Sequence, residues 1–97
     1  RCDIVFGIDY DDDMDKALAI IKGIVDQDER VFSDPEPFVK VTNLGDSSVD
    51  ITCRLWCNAS ELWNLKFDIT KQVKSAFDDQ GISIPYPHRT LVQKVAN

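Results

Sequence analysis

The apolar pattern of this chain predicts an α+β domain with the element order β-α-β-β-α-β, an antiparallel sheet carrying two helices on one face. Three observations carry that expectation. Residues Ser48–Cys57 alternate strictly, with Val49, Ile51, Cys53, Leu55 and Cys57 on one side and Asp50, Thr52, Arg54 and Trp56 on the other. Two longer stretches instead repeat their apolar residues at spacings of three and four, the helical period. Proline, glycine and acidic clusters punctuate the chain where one pattern gives way to the next. At 97 residues the chain is one domain's worth of sequence, long enough to hold a single core without disulfide or metal staples.

The elements follow in order. Asp3–Asp9 reads as a strand, with Ile4, Phe6 and Ile8 on one face. Tyr10-Asp11-Asp12-Asp13 then supplies a helix N-cap and acids suited to the positive end of the helix dipole. The helix runs to about Asp26 on a stripe of Met14, Leu18, Ile21 and Val25, flanked by Ala17 and Ile24. Gln27–Glu36 is polar and ends in the breaker Asp34-Pro35-Glu36-Pro37. Phe38–Thr42 is a short strand, Leu44-Gly45-Asp46-Ser47 a hairpin turn, and Ser48–Cys57 the central strand. Asn58 or Ser60 caps a second helix that buries Leu62, Leu65, Ile69, Val73 and Phe77, supported by Ala76. Gly81 ends it in the left-handed C′ position. Ile82-Ser83-Ile84 is a fourth short strand, stopped by Pro85-Tyr86-Pro87, because proline cannot donate to a ladder. Thr90–Val95 is a last extended apolar stretch. The whole is a ferredoxin-like domain over residues 1–87 with a C-terminal tail over 88–97. This fold hosts many functions and settles none.

Composition narrows the classes. Eleven basic residues face seventeen acidic ones, a formal charge of −6. A nucleic-acid module needs a cationic face to displace counterions from phosphate, and docking on anionic lipid needs the same. No 18-residue apolar run offers a membrane helix. The chain opens on Arg1 rather than Met, which fits a piece of a longer protein. Cys2, Cys53 and Cys57 make an odd count, read as reduced thiols in a cytosolic setting.

No catalytic, cofactor or metal site emerges. An EF-hand loop starting at Asp9 requires Gly at its sixth position and Glu at its twelfth; Met14 and Ile20 stand there. Cys53 and Cys57 lie on one strand with α-carbons about 13 Å apart, too far to chelate one ion or to bond to each other. His88 is the one histidine, and no triad or phosphate-cradling loop is present. An RNA-binding sheet would show aromatic and basic residues, whereas the central strand offers Asp50, Thr52, Arg54 and Trp56. Trp56, on the wetter face, is an interface candidate.

The residues do resemble one family. Tyr10-Asp11-Asp12-Asp13, then Pro37 through Val49 with Arg54 and Trp56, then Phe77 through Thr90, stand in the order and spacing of the C-terminal α/β cytoplasmic domain of small-conductance mechanosensitive (MscS-type) channels. The resemblance covers about Asp3 to Val95. Asn43 departs from the family's usual acid before Leu-Gly, and His88 from its usual Gln. The resemblance implies a parent with membrane helices upstream and a homoheptameric vestibule on the cytoplasmic side of the cell membrane, with lateral portals that filter ions and solutes. The residues offer no catalytic or cofactor pattern and the charge balance no nucleic-acid face, so no enzyme, cofactor or nucleic-acid partner is expected; the partners the resemblance implies are other copies of the subunit. By position, Asp3 and Asn43 match portal-lining places. Thr90, Leu91, Val92 and Val95 match the strand of a parallel barrel that closes the far end, and Trp56 joins them as an interface candidate. The fragment alone is expected to be a monomer or weak oligomer. The competing reading is a stand-alone ferredoxin-like ligand-binding or dimerisation module.

Overall fold

The structure, a computed structural model, describes residues 1–85. Its strands are β1 (Cys2–Ile8), β2 (Phe38–Leu44) and β3 (Val49–Leu55), and its helices α1 (Met14–Asp26) and α2 (Leu62–Gln80), the latter preceded by a 3₁₀ turn at Ala59–Glu61. Among the described residues the sheet has three strands in the order β1-β3-β2, antiparallel throughout. The predicted β-α-β-β-α order is therefore present, with the alternating strand at the centre.

Alternation decides which face the helices cover. Val49, Ile51, Cys53 and Leu55 of β3, and Cys2, Ile4, Phe6 and Ile8 of β1, are all buried, and their neighbours in sequence are not. Both helices pack on that one face. Leu65, Ile69, Val73 and Phe77 of α2 are fully buried, as are Ala17, Ile21 and Val25 of α1. Phe77 meets Phe6 edge to face, with ring centroids 6.3 Å apart, a favoured aromatic geometry.

Several boundaries differ from the sequence expectation, each for a local reason. β1 starts at Cys2 and stops before Asp9, because Asp9 turns the chain: its carboxylate accepts from the Asp11 amide and its carbonyl from the Asp12 amide, both at 3.0 Å. Asp13 caps α1, its Oδ1 accepting from the Lys16 amide at 3.1 Å. Met14, placed on the buried stripe by its spacing, is 45% exposed; as the first helical residue it overhangs the edge of β2. β2 extends to Leu44, with a bulge at Thr42 that lets Asn43 pair with Asp50. The turn then closes from the Gly45 amide to the Ser48 carbonyl. β3 ends at Leu55, so Cys57 lies beyond the sheet and is only half-buried. Asn58 stands before the 3₁₀ turn, but its side chain makes no capping bond there. Gly81 ends α2 at φ +76°, where a side chain would be strained.

The largest difference is Ile82–Ile84, which forms no strand. Asp9 donates one backbone bond to the Ser83 carbonyl at 3.0 Å. The Ser83 amide, which a ladder would need, is taken instead by the Asp12 carboxylate at 2.7 Å, and Pro85 has no amide to continue with. The tail boundary at residue 88, and with it His88, Thr90, Leu91, Val92 and Val95, lies outside the described residues.

Candidate functional site

The face of the sheet opposite the helices carries the residues singled out by position. It is built from the polar half of the alternation, in cross-strand rows. Asp3, Arg54 and Phe38 share one row; Val5, Thr52 and Lys40 the next; Gly7, Asp50 and Asn43 lie at the far end. Asp3 and Asn43 are thus on one face but in rows four residues apart along β3, about 13 Å. The fold does not bring them together.

Their surroundings have opposite character. Asp3 is held between two guanidinium groups: Arg1 Nε is 3.1 Å from its carboxylate and Arg54 Nε 4.0 Å. Arg54 also lies over the Phe38 ring, at 5.3 Å from its centroid, with Lys40 Nζ at 6.0 Å, both within cation–π range. This end is cationic on balance. At the other end Asp50 accepts from the Asn43 side-chain amide at 3.1 Å and from the Ser48 hydroxyl at 2.7 Å, bonds that orient the carboxylate without cancelling its charge. Between the ends, the Thr42 and Thr52 hydroxyls lie 2.6 Å apart.

Asp50 is a residue that sequence reasoning passed over in favour of Asn43. Its signal was there, a carboxylate on the open face of the central strand, but the bulge that seats Asn43 beside it is not visible in the pattern. Trp56 sits one residue past the last paired position and is half-buried. Its carbonyl accepts from the Phe32 amide at 2.8 Å, so the α1–β2 loop crosses the sheet end there. The exposed aromatics are elsewhere: Trp63 and Phe67 on α2 are each 62% exposed.

The α1–β2 loop is docked rather than loose. Arg30 clasps Asp28 with Nε at 3.0 Å and Nη2 at 2.7 Å, and reaches Asp68 of α2 with Nη1 at 2.9 Å. The hydrogen bonds from Arg30 hold the Asp28 carboxyl below its ordinary value. Burial pushes the Cys53 thiol up to about 12, with Cys2 and Asp3 adding to the shift, and raises Cys2 as well. Both thiols are inert, protonated members of the core. Among the described residues no group of three or more His, Cys, Asp or Glu side chains could hold a metal ion, and no helix is long and apolar enough to cross a membrane.

Residues 2–84 match the family described as "Mechanosensitive ion channel MscS, C-terminal", which puts the chain among ion-channel domains. It belongs to the MscS C-terminal domain family, a channel-domain family and not an enzyme family. An uncharacterised MscS family protein of Archaeoglobus fulgidus is 42% identical over 94% of this chain, and one of Synechocystis 35% identical over the same share. The small-conductance mechanosensitive channel of Edwardsiella ictaluri is 31% identical over 90%. The crystal structure of Helicobacter pylori MscS in its closed state matches 87% of this chain with a TM-score of 0.79 at 27% identity. The chain spans 32%, 31% and 30% of those three curated relatives and 34% of the crystallised chain.

Proposed function

We propose that this domain forms part of the wall of a cytoplasmic vestibule in a tension-gated, osmotic-release channel, assembled as a homoheptamer and held at the membrane by helices upstream in the parent protein. Ions and solutes reach the pore through lateral portals between subunits, and this domain biases which of them pass. The observation that carries the reading is the match of residues 2–84 to the MscS C-terminal family. The open sheet face supports it, since its charges stand in solvent and are free to act on passing ions. The apolar run Thr90–Val95 closes the assembly as a barrel strand, a use that removes the liability of an unpaired edge.

Asp3 and Asn43 line the portals in this reading, and their surroundings support different parts for the two. Asp3 is half-neutralised by Arg1 and Arg54. Asn43 holds Asp50 in place, so Asp50 carries the negative field at that end. The test is single-channel recording of the parent channel in asymmetric salt. Asp50→Asn shifts the reversal potential toward anions, and Asp3→Asn shifts it less. Reversal potentials unchanged in both variants remove the portal assignment. A parent protein whose expression leaves no tension-activated current, in membranes where it is present, removes the channel reading.

A further inference from the structure

Two apolar patches lie at opposite lateral margins of the molecule, and their rims carry opposite charge. The first is on α2. The Trp63 and Phe67 rings lie 6.1 Å apart, and Lys66 Nζ is 5.6 Å from the Trp63 centroid. Lys74 continues the same flank, pairing with Asp78 at 2.7 Å. The position of this flank follows from the other side of the helix. Asp68 reaches Arg30, and Gln72 and Ala76 share a groove with Ile24 of α1. Trp63 and Phe67 are therefore turned away from α1. Because α2 covers β1 and α1 covers β2, they stand beyond the β1 margin.

The second patch is beyond the β2 margin. A groove there is lined by Met14 and Leu18 of α1 and by Val41, Thr42, Asn43 and Leu44 of β2. Met14 is 45% and Leu44 68% exposed. Asp15 stands on the rim, with Asp11 and Asp13 exposed beside it. One margin thus presents paired aromatics beside Lys66, and the other a shallow, partly apolar groove with Asp15 on its rim.

We propose that Trp63 and Phe67 of one copy seat in the Met14–Leu44 groove of the next copy, with Lys66 facing Asp15. The inference rests on the reading that copies of this domain assemble. Aromatic anchors in an apolar groove supply affinity, and opposed rim charges fix partner and register. The two surfaces are different patches of one chain, so the contact is head-to-tail. It repeats from copy to copy instead of stopping at a dimer, and it forms a ring when the rotation between copies closes.

The test is sedimentation equilibrium on the 97-residue chain from about 10 μM to about 1 mM. The expected result is an apparent mass that rises with concentration. Phe67→Gln and Leu44→Gln each weaken association about tenfold, and both residues are exposed, so circular dichroism is unchanged. An equimolar mixture of the two variants associates again, as a heterodimer that does not grow, because each contributes its one intact patch. Trp63→Gln and Met14→Gln form a second pair should either variant fold poorly. A chain monomeric throughout the range overturns the contact, as do association untouched by both substitutions and variants that fail to pair when mixed. Association that survives both substitutions but is lost on truncation after Tyr86 removes this contact and leaves the vestibule reading standing.

Discussion

The two faces of the central strand share a backbone and little else. On one, Val49, Ile51, Cys53 and Leu55 are at most 3% exposed and meet both helices. On the other, Asp50, Thr52 and Arg54 stand half in solvent, with Asp3, Lys40 and Asn43 among their cross-strand neighbours beside Val5 and Phe38. The buried face answers to volume and shape, because a close-packed core registers each methylene lost. The open face answers to charge, and its side chains can change with small effect on folding. The core and the open face's charge are thus carried by alternate residues of one strand.

The largest expected contrast is chemical. Cys53, fully buried and with its thiol pushed up to about 12, reacts with an aqueous disulfide reagent far more slowly than an ordinary thiol. Half-buried Cys57 is the residue modified in the native chain. Mass spectrometry of the labelled peptides checks this, and equal labelling of both would break the contrast. Phe77→Ala, which empties the space beside Phe6, destabilises the domain by about 3–5 kcal/mol in urea unfolding.

Asp28→Asn is expected to cost about 1–2 kcal/mol, because Arg30 loses its bidentate partner in a partly buried site. It also changes the pH response. The Asp28 carboxyl titrates lower in the folded chain than in the unfolded one. Its contribution is therefore complete above the unfolded value near 4 and is lost as pH falls through the folded value. The variant has a flatter acid limb. Gly81→Ala, forced to a positive φ, costs about 1 kcal/mol. Val5→Thr on the open face changes stability by less than about 0.5 kcal/mol; a loss as large as that of Phe77→Ala would refute the division of the two faces.

Local periodicity made the strands and helices legible. Alternation named the buried half of β3 residue by residue, and the three-four spacing named Leu65, Ile69, Val73 and Phe77. Features decided between distant residues were not legible. Arg30 and Asp68 are 38 positions apart, and nothing in the polar stretch Gln27–Glu36 announces that it docks. Ile82–Ile84 has the composition of a strand, but the Asp12 carboxylate captures the amide a ladder would use. Met14 fits the helical spacing yet lies at the helix's first turn, past the edge of what it would cover. At the candidate site, Asp3 and Asn43 were named by resemblance, while Asp50 and the Trp63–Phe67 pair needed the assembled geometry. The pair had one signal, two aromatics four residues apart and off the Leu65–Phe77 stripe.

The Ser83 clamp has a mechanical consequence. Both backbone groups of Ser83 are engaged, the carbonyl by Asp9 and the amide by Asp12, while Lys16 Nζ holds the Gln80 carbonyl at 2.8 Å. A pull applied beyond Pro85 is therefore delivered to the β1–α1 turn and to both helices together, instead of unwinding α2 from its free end. Tyr10 passes the load on, since its hydroxyl donates to the Gly45 carbonyl at the tip of the β2–β3 hairpin. Load at the chain's exit is thus spread over the β1–α1 turn, α1 and the hairpin tip instead of resting on α2 alone.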